Sequence, residues 1–453
     1  MNLSTVTVHL ILHLMNLTKR LMNRYIINIL TLFVFLVYTN SAHSQSKVLM
    51  NAAPASGGFS ATRLARLDSG MSDWVKNKWV NGSVALIVRN GKIVFNKAYG
   101  YNNIETKEAL DKNGIFRIAS QTKAVTTVAV MMLWEEGKFS LDDSVSKFIP
   151  SFANQQVIAT FNPKDITYTT VPAKRAITIR DLLTHTSGLG YPGIGTPEEI
   201  AIYAKNRITG GVGVAGEKIS DAMNRLGGLP LFFQPGEQWR YGLSHVVLGY
   251  LVQLWSGMSL EDFFAKRIFQ PLGMKDTYFN VPQEKGKRLV NFFLQDPTGI
   301  IKKQDAVFGG ALDMKYPLNK TDYFSGGGGL SSTIYDYAIL LQMLLNGGEY
   351  NGVRLLARNT VRMMTMNQIG DLSVNIGTSK DNKFGFGFSI ISESGSKGPS
   401  QAGTYAWGGV FSTIYWVDPK ENLIVLLYEQ MWGPHIADTQ KLFRALVYQA
   451  IND

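Results

Sequence analysis

Apolar residues between 61 and 79 recur as Leu64, Leu67, Met71, Trp74 and Trp79, the spacing of one helical face. Ser83 to Tyr99 reads instead as two strands around Asn90-Gly91, the dipeptide best suited to a two-residue hairpin turn. Near the other end, Tyr405 to Val417 and Leu423 to Tyr428 are β-rich runs joined by Asp418-Pro419, and Thr439 to Ile451 closes as an amphipathic helix. The middle differs in texture. Helices are predicted at 196–207, 244–256, 260–268 and 334–346, several ending at glycines such as Gly257 and Gly347-Gly348. The glycine run Gly326 to Gly329 reads as a tight loop ahead of a helix capped around Thr333. These patterns predict a fold that is α/β plus all-α, with no internal repeat. An α/β domain is expected over 45–140 and 371–453, with a mainly helical lobe inserted over 141–370.

Composition fits that division. The chain has 453 residues, of which 45% are hydrophobic and 17% charged, and single cores stop growing near about 250–300 residues. Cysteine is absent, which removes disulfides, thiolate nucleophiles and cysteine-ligated zinc, so covalent chemistry must use oxygen or nitrogen. The six histidines, three of them at 9, 13 and 43, do not suggest a metal centre, and neither metal nor cofactor is expected.

From Met22 the chain reads as a secretory leader: Met-Asn-Arg-Tyr, an apolar run from Ile26 to Tyr38, then Ala42-His43-Ser44. Cleavage is expected after Ser44, with Met22 a candidate for the true start and a periplasmic or extracellular destination. The 13-residue run, interrupted by Asn28, is short against the roughly 20 residues of a membrane span. No stable span is expected once residues 1–44 are removed. Their loss takes Lys19, Arg20 and Arg24 from a net charge of +11 and leaves +8. The remaining positive charge is scattered, which argues against nucleic acid as a partner, and no protein partner is implied.

Three stretches carry candidate chemistry. Ser120-Gln121-Thr122-Lys123 opens an apolar helix through Val128, Met131, Met132 and Leu133. Helical spacing stacks Lys123 one turn beyond Ser120, and the helix N-terminus favours developing negative charge. That suits an activated nucleophile, although a serine there can equally cap the helix. The same spacing recurs at Ser44/Lys47, Ser144/Lys147 and Ser394/Lys397, but only Ser120 begins a buried-looking helix. Tyr241 stands at a loop-to-helix junction in Trp239-Arg240-Tyr241-Gly242-Leu243-Ser244-His245. It is a proton shuttle if Lys123 is a neighbour and a core tyrosine otherwise. Trp407-Gly408-Gly409-Val410 places two glycines in a strand, marking a β-bulge or a close approach to the backbone.

Taken together, Ser120-x-x-Lys123, Tyr241 and Trp407-Gly408-Gly409 resemble the serine β-lactamase and penicillin-binding-protein superfamily. Ile177 to Leu189, Pro271-Leu272-Gly273-Met274 and Ser325 to Ser332 extend the resemblance over roughly 60–450. It is most similar to class C β-lactamases and to the family VIII carboxylesterases. The resemblance implies a β-lactamase/transpeptidase-like fold, with an antiparallel sheet flanked by N- and C-terminal helices. It also implies an acyl-enzyme on Ser120, Lys123 and Tyr241 as the base pair, and an oxyanion hole from the Ser120 and Val410 N–H groups.

The chain departs from the lactamase pattern in two places. Leu243 stands where an asparagine is usual, and Trp407-Gly408-Gly409 where Lys-Thr-Gly is usual. Loss of that lysine removes a partner for a substrate carboxylate, so Trp407, Gly408 and Gly409 are expected to bind a neutral ester. The expected substrate is a small ester, with an amide, a β-lactam or a D-alanyl peptide as the alternative. A penicillin-binding sensor without turnover is the alternative of another class. Gly211 to Gly216 matches a dinucleotide fingerprint but follows a helix-like segment, so it fails its context. His185 reads as a structural histidine bonding its own loop, and His245 and His435 show no partner spacing.

Overall fold

In the computed structural model the hairpin at Asn90-Gly91 joins β1 (Gly82–Arg89) to β2 (Lys92–Asn103), both turn residues having positive φ as this turn requires. Residues 48–374 and 381–452 are described, with 8–11, 13–15, 17–19 and 22 of the N-terminal segment. The apolar run Ile26 to Tyr38 and the Ala42-His43-Ser44 junction lie outside the described residues. The chain forms one unit over Met1–Ser46 and another over Lys47–Asp453. Among the described residues no helix is long and apolar enough to cross a membrane.

A nine-stranded sheet organises the second unit. From the Tyr405 to Val417 run come two strands, β3 (Tyr405–Gly409) and β4 (Thr413–Asp418), followed by β5 (Leu423–Tyr428). The order across the centre is β2-β1-β5-β4-β3, with short strands extending both edges. The central pairs are antiparallel, while the edge strand Met50–Asn51 runs parallel to β2, making the sheet mixed.

Both faces of β1 and β5 are buried, which is why they read as continuous apolar runs. Successive side chains point to opposite faces. Ala85 and Ile87 of β1, with Val425 and Leu427 of β5, pack under α1 (Ala61–Lys76) and the C-terminal helix Ile436–Gln449. Val84, Leu86 and Val88, with Ile424 and Leu426, face the larger core.

That core is built around α2 (Thr122–Glu135), a helix apolar on nearly every side and therefore buried. α4 (Ser244–Ser256) packs along it, and α3 (Pro197–Lys205) and α5 (Ile334–Leu345) contribute side chains to the same core. Thr333 caps α5 by accepting from the Asp336 N–H at 3.2 Å. The stretch at 260–268 breaks up into Leu260–Phe264, a π turn over Ala265–Phe269 and Gln270–Leu272. The middle of the chain also holds a hairpin, Gln156–Asn162 with Thr167–Pro172, whose mostly exposed strands show no regular alternation of apolar and polar residues.

The paired glycines mark a close approach, and β3 has no bulge. Its register against β4 runs unbroken from Tyr405↔Val417 to Gly409↔Thr413, and Val410-Phe411-Ser412 turns the chain, Ser412 taking φ 60°. A Cβ at Gly409 would collide with the Ile118 carbonyl oxygen and Thr413 Oγ1, whereas one at Gly408 would lie 3.2 Å from Thr413 O. Gly409 thus lets β3 lie against the turn that carries Ser120. Gly409→Ala should cost about 1–3 kcal/mol, as overpacking does, and lower the melting temperature clearly more than Gly408→Ala. Equal losses in thermal unfolding would contradict this.

Candidate active site

Ser120 sits in the middle of a 3-10 turn, Ala119–Gln121, that runs directly into α2. Ala119 adopts φ 42°, a left-handed conformation that costs a non-glycine residue energy and persists only where neighbours impose it. They do so here. Tyr337 OH donates to Gln121 O at 2.8 Å, Tyr428 OH to Gln121 Oε1 at 2.7 Å, and the Leu330 N–H to Thr122 Oγ1 at 3.1 Å. Ser120 does not cap the helix, since no side chain bonds the N-terminal amides there. Its Oγ lies 2.6 Å from Tyr241 OH and 3.3 Å from Lys123 Nζ.

Lys123, in the first turn of α2, is 2% exposed. Its Nζ donates to Gly327 O at 2.6 Å and stands 4.6 Å from the Tyr241 ring centroid. Among the described residues no carboxylate pairs with it, so the ammonium loses its hydration uncompensated, and burial pulls its pKa down to about 7. Tyr241 responds in the opposite sense. Burial raises its pKa well above the ordinary phenol value, with the contacts from Ser120 and Trp407 pulling the other way. Near pH 7 the serine is therefore flanked by a buried amine that gives up its proton in a substantial share of molecules and by a buried, protonated phenol.

Tyr241 is held on the loop leading into α4 by aromatic rings. Tyr191 stacks on it at 5.4 Å, Trp407 lies at 5.5 Å and His185 at 5.0 Å. Phe384 packs on both Trp239 and Trp407. His185 is structural, but its partner is not in its own loop. It is fully buried at the left-handed C-cap of Ile179–Thr184, and its Nδ1 accepts the Gly242 N–H at 3.3 Å. His245 likewise has a partner, with Nε2 3.2 Å from Thr127 Oγ1 and its ring 4.9 Å from His185. Burial holds both imidazoles well below their ordinary pKa, so they stay neutral.

The structure thus gathers Ser120, Lys123, Tyr241 and Trp407, with Gly408 and Gly409 on the strand alongside. Val410 follows at the turn, 45% exposed, and its carbonyl accepts the Trp432 indole N–H at 2.5 Å. Leu243 is turned into the core, 1% exposed. Tyr191, Gly327, Phe384 and Trp432 escaped the sequence reading. Tyr191 follows the Ile177 to Leu189 stretch by two residues and Gly327 lies in the glycine run, so those two had a signal. Phe384 and Trp432 had none.

Burial of Lys123 has a measurable cost. The unfolded chain, with an ordinary lysine value of 10.5, binds a proton that the folded chain has released above about 7. Stability therefore rises with pH across that window, and the lysine's penalty is complete below it. Lys123→Met should raise the melting temperature relative to the parent most near pH 6, the difference shrinking towards pH 10. A difference independent of pH would contradict a buried, neutral lysine.

This chain matches the Beta-lactamase family over residues 67–449. It is 31% identical over 362 residues to an uncharacterized protein of Mycobacterium tuberculosis, covering 77% of this chain and 85% of that one. Esterase EstB of Burkholderia gladioli is 28% identical over 394 residues, covering 83% of this chain and 93% of EstB. In fold, EstCE1, a hydrolase with promiscuous acyltransferase activity, superposes with a TM-score of 0.69 at 24% identity, covering 86% of this chain and 99% of EstCE1. A match of that extent settles the family: the chain belongs to the β-lactamase family, whose members are serine hydrolases.

Proposed function

We propose that the protein is a carboxylesterase that hydrolyses small neutral esters through an acyl-enzyme on Ser120. The observation that carries this reading is Trp407, an indole packed against Tyr241 at 5.5 Å, at the strand position where the lactamase pattern has a lysine. With no cation there, a substrate carboxylate has no partner on that strand. Leu243 adds to this, because a buried leucine offers no amide to a substrate. The name of EstB, an esterase, supports the same choice.

In this reading Ser120 Oγ attacks the ester carbonyl carbon, and its proton passes to the neutral amine of Lys123, directly or through the Tyr241 hydroxyl. A base with pKa near the working pH is the efficient one. Once charged, the ammonium faces the Tyr241 ring, which favours a cation. The tetrahedral oxyanion is held by the Ser120 and Val410 N–H groups. The carbon–oxygen bond to the alcohol then breaks and the alcohol leaves with the stored proton. Water attacks the acyl-serine, giving its proton to the same pair, and the carboxylic acid departs as serine is restored. One ester and one water yield one acid and one alcohol. The leader-like pattern of Met22 to Ser44 supports a proposed site of action outside the cytoplasm.

Purified protein should hydrolyse p-nitrophenyl butyrate and leave nitrocefin largely intact, and Ser120→Ala should fall to background. Fast nitrocefin turnover without ester turnover would replace the esterase reading by a lactamase one. Full ester activity in Ser120→Ala would remove the nucleophile assignment.

A further inference from the structure

A carboxylate far from Ser120 in sequence grips both chain segments that flank Tyr241. Glu199, in the first turn of α3, is fully buried. Its Oε1 lies 2.6 Å from Arg240 Nη1, and its Oε2 accepts the Tyr191 N–H at 3.2 Å. Arg240 immediately precedes Tyr241, and Tyr191 is the ring stacked on it. Space for this carboxylate is built in, because a Cβ at Gly190 would lie 2.7 Å from Oε2 and one at Gly195 would overlap it.

The two gripped segments are also tied to each other on both sides of the tyrosine. The Arg240 N–H donates to His185 O at 3.0 Å, and the Leu243 N–H to Gly190 O at 3.0 Å. The Gly190 N–H is held by Tyr203 OH, also on α3, at 3.1 Å. Between these anchors the Tyr241 hydroxyl is left to project at Ser120. A buried carboxylate costs free energy unless it is paired and hydrogen-bonded, and here each oxygen has one partner and both partners border Tyr241.

We infer that Glu199, acting through Arg240 and Tyr191, is a positioning residue that sets the Tyr241 hydroxyl over Ser120. The inference rests on the reading of Tyr241 as part of the proton-transfer pair. Misplacement of a reacting group by about 1 Å can cost on the order of 100-fold in rate, so the contribution should appear in kcat with little change in KM.

The test uses Glu199→Gln, which keeps the side-chain shape, alone and combined with Tyr241→Phe. Two readouts are taken: p-nitrophenyl butyrate kinetics, and the rate at which a fluorophosphonate labels Ser120, which needs the nucleophile but no particular ester. Glu199→Gln should lower kcat and the labelling rate about 10–100-fold with KM within about twofold. In the Tyr241→Phe background it should cost less than about twofold, because there is no hydroxyl left to position. An unchanged rate, or the same loss in both backgrounds, overturns the inference. Should Glu199→Gln fail to fold, Arg240→Lys decides: it keeps the charge but loses the guanidinium geometry, and an unchanged labelling rate overturns the inference. Full activity in Tyr241→Phe itself would instead overturn the role of Tyr241. Normal labelling behaviour without ester turnover would overturn only the esterase reading.

Discussion

Burial of one amine is the constraint on which the site depends. A lysine with a carboxylate neighbour would stay charged at neutral pH and could accept nothing. Among the described residues the Lys123 amine bonds the Gly327 carbonyl and the Ser120 hydroxyl and no carboxylate, so removal from water favours the neutral form. The residue is affordable because it lies in the first turn of α2, a helix whose remaining surface is apolar and buried on nearly every side. Packing elsewhere on that helix compensates a group that works against stability.

Geometry around the amine is imposed from three directions. The Ser120 turn is held from the sheet by Tyr428 and from α5 by Tyr337. β3 can lie close to it because Gly409 has no side chain. Tyr241 arrives on a third segment, pinned by His185 and wedged among Tyr191 and Trp407. A strained Ala119 is tolerated because these contacts over-determine the turn.

Much of this was legible in the order of residues. Asn90-Gly91 located the central hairpin, the apolar face from Leu64 to Trp74 located α1, and the Ser120/Lys123 spacing acquired meaning from the helix it opens. Ser120, Lys123 and Tyr241 could be grouped only through the chain-wide family resemblance, because local chemistry gave each a bland alternative. What stayed hidden depends on three-dimensional neighbours. His185 has a backbone amide for its partner, a group every residue possesses. Glu199 and Arg240 are 41 positions apart, and nothing in a list of charges says which two will meet. The hairpin at 156–172 escaped because its exposed strands lack the alternation that burial imposes.

Burial of Lys123 brings its pKa close to working pH, so that a substantial share of the amine is free to accept a proton. Its side chain can be titrated directly by NMR on protein labelled at lysine, with Lys123→Met identifying the resonance. The expected midpoint lies close to 7, well below the ordinary lysine value of 10.5. A Lys123 midpoint at or above about 9.5 would mean that the amine is charged beside Ser120, and the proton would then have to go elsewhere.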